Sequence, residues 1–302
     1  MAKPALNILH SPSKNYALVG QQLTGIIKRH LPPGSYTETV GERRPKATNF
    51  SLFIARDPDV LMSHGAADKN YLYKKDEGGQ RIINGMRHVL TPGPWLRERL
   101  LNSKSIKLSP SQIHSVGWPR LDDLLPLQQA RPAEPRERPK VLWAPTHDYA
   151  RRGVDELSTS SYPEFEQYLP RLREHFDVAV SLHPRNRSAK SPTVDQLIEA
   201  DYVISDFGTM VYEAWALGKP VLFPTWIIGE RIVEHLKTAA EAAIFRDRIG
   251  LHPNSIDEAI EMLRARPTLD SRTIAFRDEY LDPAYLGTSG RRVAELLLEL
   301  SS

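Results

Sequence analysis

The stretch ADYVISDFGTMVYEAWALGKPVLF, residues 200–223, decides the fold. Tyr202-Val203-Ile204-Ser205 is a short apolar run and reads as a strand. Residues 208–217 read as a helix, which Gly218 closes as a C-cap. Pro220-Val221-Leu222-Phe223 is the next strand. Strands apolar on both faces, joined through a helix, imply a parallel sheet covered by helices on both sides.

The same rhythm extends outward in both directions. Upstream, Val141-Leu142-Trp143-Ala144-Pro145 and Val178–Leu182 read as strands, with helical spacing over 162–176 and a short helix over 193–199. Downstream, helices are expected at about 230–243, 255–265 and 290–300. The first half repeats the theme less cleanly. Its expected strands are Ala5–Leu9, Phe50–Ala55, Val60–Ser63, His88–Thr91 and Ile113–Val116, with helices near 16–29 and 93–102. Residues 127–140, LQQARPAEPRERPK, are rich in proline and charge and read as a linker. With 302 residues, two domains are expected: 1–126, a linker over 127–139, and 140–302. Two Rossmann-like domains facing a central cleft would bind ligands beyond the strand C-termini.

The chain has no cysteine, which excludes disulfides and thiol or Cys-based metal chemistry. The N-terminal MAKPALNILHSPSKNY carries no signal-peptide-like apolar run, and no stretch is long enough to span a membrane; a cytoplasmic location is expected. A peripheral membrane contact stays open. Residues 1–130 hold 18 Lys+Arg against 10 Asp+Glu, and residues 131–302 hold 22 against 27. This asymmetry suits an anionic partner of the first half, or uneven solvation without one.

Five motifs fall just after expected strands. In Ser63-His64-Gly65-Ala66-Ala67-Asp68-Lys69, Gly65 permits close backbone approach, His64 suits a general base, and Lys69 suits a phosphate. In Gly117-Trp118-Pro119-Arg120-Leu121-Asp122, Arg120 lies at a helix start, where anions gather. Thr146 and His147 end the first strand of the second half, ahead of a long polar stretch with Arg151 and Arg152. His183 and Arg185, in Leu182-His183-Pro184-Arg185, suit a diphosphate. In Ser205-Asp206-Phe207-Gly208-Thr209, Thr209 and the following helix start form an anion site, while Ser205 or Asp206 would serve as N-cap. Glu213, one turn further, would reach a ribose or base. For each motif the plainer alternative is an ordinary solvated or capping turn. No P-loop, G-x-G-x-x-G, G-x-S-x-G or H-E-x-x-H pattern occurs, and no metal site is expected.

In this order, SHGAADK, VGWPRLD, VLWAPTH, SLHPR and residues 200–223 resemble the CDP-glycerol glycerophosphotransferase family of teichoic-acid enzymes, over roughly residues 60–224. The resemblance implies an α/β GT-B fold and transfer of a polyol phosphate from a CDP-activated donor, held mostly by the C-terminal domain. It implies His64 as the base on the acceptor hydroxyl. It also implies His183 and Arg185 at the donor phosphates, and Ser205, Gly208 and Thr209 in the phosphate site. Phe207 stands where the family has tyrosine, Gly208-Thr209 replaces a serine pair, and His147 replaces a frequent aromatic.

The expected function is therefore metal-independent polyol-phosphate transfer from a nucleotide-activated donor, CDP- or UDP-linked, to an anionic acceptor, with no separate cofactor. Two alternatives stand beside it. One is a GT-B glycosyltransferase using a UDP- or GDP-sugar with a glycan or hydroxymethylated-DNA acceptor. The other is a non-catalytic module that binds a nucleotide or polyanion. Catalytic roles fall to His64 and His183. Thr146, His147, Arg185, Ser205, Asp206, Gly208, Thr209 and Glu213 are expected on the donor, and Gly65, Lys69 and Arg120 on the acceptor side.

Overall fold

The computed structural model describes residues 5–131, 136–146, 159–183 and 193–302. It divides into two compact units. One comprises Met1–Ala66, Asn70–Asp123 and Asp278–Ser302; the other comprises Ala67–Lys69 and Leu124–Arg277.

The first unit is a six-stranded, wholly parallel sheet. Its elements are β1 (Leu6–His10), α1 (Lys14–Lys28), β2 (Tyr36–Val40), β3 (Thr48–Ser51), β4 (Val60–Met62), β5 (His88–Thr91), α2 (Pro94–Leu101) and β6 (Ile113–Ser115). The strand order is β2-β1-β3-β4-β5-β6. Strands β3 and β4 are buried along their whole length. β3 lies at Thr48–Ser51 rather than at the expected Phe50–Ala55, and Ile54–Arg56 form a 3-10 turn instead. β2, with the sequence YTETV, was not expected. It is an edge strand, mostly solvated and polar, so no apolar run announces it.

Helix α3 (Leu121–Gln129) leads towards the second unit and takes in residues 127–129 of the expected linker. The second sheet has order β10-β9-β7-β8, again parallel. Its elements are β7 (Lys140–Trp143), α4 (Leu169–His175), β8 (Asp177–Val180), α5 (Thr193–Glu199), β9 (Tyr202–Ile204), α6 (Thr209–Ala216), β10 (Val221–Leu222), α7 (Thr225–Leu236), α8 (Ala240–Arg246) and α9 (Ile256–Arg264). Val141, Trp143, Phe165, Leu172, Ile204, Leu222 and Leu263 form one core on this sheet. The single helix expected at 230–243 is two, α7 and α8. Lys237 adopts φ 47°, a left-handed residue that ends α7.

After α10 (Ser271–Tyr280) the chain returns to the first unit and ends in α11 (Ser289–Leu300). Here the structure differs from the expected 140–302 domain. Asp122 accepts the Ser289 and Gly290 amides at 2.9 and 2.7 Å and so caps α11. A side chain at Gly290 would lie 2.7 Å from Ile26 Cγ2, so α11 seats closely on α1. Val293, Ala294, Leu296 and Leu297 bury there.

Candidate functional site

In the second unit the exits of β7 and β9 are locked together. Ser205 Oγ donates to the Ala144 carbonyl at 2.8 Å. Asp206 Oδ2 accepts the amides of Thr146 at 2.8 Å and Ser161 at 3.1 Å. Ser160 Oγ donates to the Thr146 carbonyl, and Trp143 Nε1 donates to Ser161 Oγ. Burial pushes the Asp206 carboxyl up to about 6, against the opposing hydrogen bonds from Ser161, Thr146 and Ser160. Ser205 and Asp206 are fully buried and Thr146 nearly so, and these bonds hold the strand ends together.

Neither Ser205 nor Asp206 caps α6. The helix begins at Thr209 with Gly208, which has no side chain to offer, at its N-cap. Gly208 has φ 108° and ψ −169°, backbone that is essentially reserved for glycine. Thr209 is partly exposed beside it, whereas Glu213 is fully buried.

Lys69 lies against this helix start. Its Nζ is 4.5 Å from the centre of the Phe207 ring, and a Cβ built at Gly208 would be 3.1 Å from that nitrogen. The backbone beneath it is held by Glu241 on α8. Oε1 accepts the Asp68 amide and Oε2 the Lys69 amide, both at 3.0 Å, and Tyr212 donates to Oε1 at 3.1 Å. In return Asp68 Oδ2 accepts the Ala240 amide at 3.1 Å, at the start of α8. Burial lowers the Lys69 pKa, and the charges of Glu241 and Asp206 work the other way. Lys69, expected on the acceptor side, lies beside Phe207 and Gly208, next to the start of the helix that Thr209 opens. Glu241 escaped the sequence reading, because nothing local marks one glutamate on a helix as the partner of a loop so distant in the chain.

His64 belongs to the first unit, just beyond β4. Its ring stacks on Phe53 with centres 5.1 Å apart and meets the edge of Tyr71 at 5.0 Å. Tyr71 is itself fixed, its hydroxyl accepting the Ile54 amide at 2.9 Å. Both rings orient a partly exposed imidazole, and neither was singled out from the sequence. Gly65 is partly exposed, and its amide reaches Ser63 Oγ at 3.4 Å. Arg120 directly precedes α3. The Gly117 turn before it packs inward: φ is 78°, and a Cβ would meet Ser289 Oγ at 2.1 Å. His183 is partly exposed beyond β8. His147, Arg185, Arg151 and Arg152 lie outside the described residues.

Among the described residues no group of three or more His, Asp or Glu is placed to hold a metal ion, and no helix is long and apolar enough to cross a membrane.

These parallel sheets and their order define an α/β fold of the GT-B type, and solved structures agree. The wall teichoic acid polymerase TagF superposes with a TM-score of 0.55 at 12% identity, covering 99% of this chain and 90% of that one. UDP-GlcNAc 2-epimerase from Neisseria meningitidis, bound to UDP-GlcNAc, gives 0.55 at 12% identity, with 97% and 100% covered. The Methanocaldococcus jannaschii UDP-GlcNAc 2-epimerase, in complex with UDP-GlcNAc and UDP, gives 0.53 at 14% identity, with 97% and 99% covered. No family model matches the chain, and no curated protein does.

Proposed function

We propose that this chain is a transferase that uses a nucleotide-diphosphate donor and delivers its activated group to an acceptor hydroxyl. One observation carries the donor half: the Lys69 ammonium sits over Phe207 and Gly208 at the start of α6, beside Thr209. A helix start, a bare glycine backbone and a cation are what a diphosphate needs for hydrogen bonding and charge balance. His183 and Arg185 join the same donor in this reading.

The acceptor half rests on His64, which Phe53 and Tyr71 hold in orientation. Its imidazole takes the proton of the attacking hydroxyl. In polyol-phosphate transfer, the acceptor oxygen bonds to the distal phosphorus of the donor. The bridging P–O bond then breaks and the nucleoside monophosphate leaves. Lys69 and the α6 amides stabilise the leaving charge, each such contact contributing about 2–4 kcal/mol to the transition state. The order of the five motifs favours a CDP-linked polyol as donor.

A second reading keeps the site and changes the cargo. The fold is shared with epimerases solved with UDP-GlcNAc, which favours a sugar nucleotide. The acceptor oxygen would then bond to the anomeric carbon, and the nucleoside diphosphate would depart whole.

A thermal-shift panel of CDP, UDP, GDP and ADP compounds tests both readings, since a ligand selective for the native state raises apparent stability. A CDP preference supports the first and a UDP preference the second. Lys69→Met should weaken the preferred nucleotide by about 10- to 100-fold, the worth of a charged hydrogen bond. If no nucleotide shifts the melting temperature, or Lys69→Met leaves the shift intact, the donor site is wrongly placed.

A further inference from the structure

In the first unit a hollow of about 420 Å³ is lined by Pro94, Trp95, Glu98, Arg99 and Glu279. Pro94 and Trp95 open α2, which follows β5. Because β4 and β5 run parallel, α2 starts at the same sheet edge as the loop that carries His64.

Two bonds tie the hollow to that loop. Arg99 Nη2 donates to Asn70 Oδ1 at 2.6 Å, and the Tyr280 hydroxyl donates to the Ala66 carbonyl at 2.7 Å. The Tyr280 ring lies 5.8 Å from that of Trp95, and the Arg99 guanidinium lies 4.2 Å over Tyr73 and 5.9 Å over Trp95. The wall is closely packed: a Cβ at Gly93 would stand 2.3 Å from the Tyr280 carbonyl oxygen, and the Asp282 amide donates to Pro92.

A partly exposed indole offers a flat apolar face, the complement of the C–H face of a sugar ring. Carboxylates accept hydrogen bonds from hydroxyls, and a guanidinium donates them. Two carboxylates here stand against one guanidinium. Glu98 is further paired with Arg97 at 2.7 Å, and Glu279 is exposed. Arg97 and Arg99 balance Glu98 and Glu279, so the hollow has no net positive charge to attract a phosphodiester polymer, and a neutral polyhydroxylated ring suits it.

We propose that this hollow holds a neutral saccharide, the acceptor of the transfer, with a ring on Trp95 and hydroxyls on Glu279, Glu98 and Arg99. The acceptor role rests on the transferase reading; the saccharide site rests on the hollow itself.

The test titrates the full-length chain with maltose, lactose, mannobiose and chitobiose, and in parallel with inorganic polyphosphate, by calorimetry and saturation-transfer NMR. At least one disaccharide should bind. Trp95→Ala should weaken it about tenfold or more, as loss of an aromatic contact and its buried area does. Trp95→Phe should retain most of the affinity, and Glu279→Gln should lower it. Circular dichroism checks that each variant is folded, and Glu279→Gln, on an exposed side chain, keeps the test open if Trp95→Ala is not. The nucleotide thermal shift should be unchanged in all three. The inference is overturned if no disaccharide binds, if binding survives both Trp95→Ala and Glu279→Gln, or if polyphosphate is the ligand lost in those variants. Saccharide binding at Trp95 without any nucleotide binding would sink the transferase reading and leave this site standing.

Discussion

Replacing Glu241 with glutamine probes how Lys69 is placed. The carboxylate accepts three hydrogen bonds: Asp68 N–H and Tyr212 O–H on Oε1, and Lys69 N–H on Oε2. Glutamine keeps the shape but offers one oxygen. With that oxygen in the Oε1 position, the new amide group faces the Lys69 N–H, so a charged bond is lost and two donors confront each other. A charged hydrogen bond is worth about 1.5–3 kcal/mol and a stranded donor costs about 1–3 kcal/mol. Glu241→Gln should therefore cost about 3 kcal/mol, read as a lower denaturant midpoint at unchanged slope. Glu241→Ala removes all three bonds and should cost more. Released from its anchor, Lys69 would leave the α6 start, so the nucleotide thermal shift should shrink with the stability. A Glu241→Gln protein within about 0.5 kcal/mol of the parent, the range of a neutral surface change, and with the full nucleotide shift, would refute the anchoring.

Gly208→Ala should destabilise by about 1–3 kcal/mol from backbone strain alone, measured by urea unfolding. It should also weaken nucleotide binding, because the new methyl crowds Lys69 Nζ. Asp206 gives a pH signature. Its folded pKa of about 6 lies above the ordinary 3.8, so the folded state favours the protonated form. That contribution is full below about pH 4 and is lost as pH rises through 6, a change of about 3 kcal/mol; Asp206→Asn should abolish it. His252 acts in the opposite sense. Burial holds it down to about 4 from 6.5, so stability is retained above about pH 6.5 and falls as pH drops through 4. Melting curves of His252→Gln should lose that acid-side decline.

The alternation of residues 200–223 was legible because both strands are buried on both faces, and β9 and β10 lie where it placed them. β2 was not, since an edge strand of threonine and glutamate looks like loop. Thr209 and the α6 start were readable from a glycine followed by a helix pattern. The use made of Ser205 and Asp206 was not: whether a polar side chain after a strand faces outward or locks a neighbouring strand depends on the chain crossing beside it. Lys69 shows the same limit more sharply. Its distance from His64 along the chain says nothing about Glu241, which decides its position.

The return of the C-terminus has a practical side. A gene cut at the proline-rich segment would separate α11, with Val293, Ala294, Leu296 and Leu297, from α1 and leave Asp122 with no helix to cap. Co-expressed halves of that kind should fail to assemble cleanly. Apart from Ala67–Lys69, the second unit is one long insert, Leu124–Arg277, between Asp123 and Asp278, so a dissection should remove that insert rather than divide the chain in two.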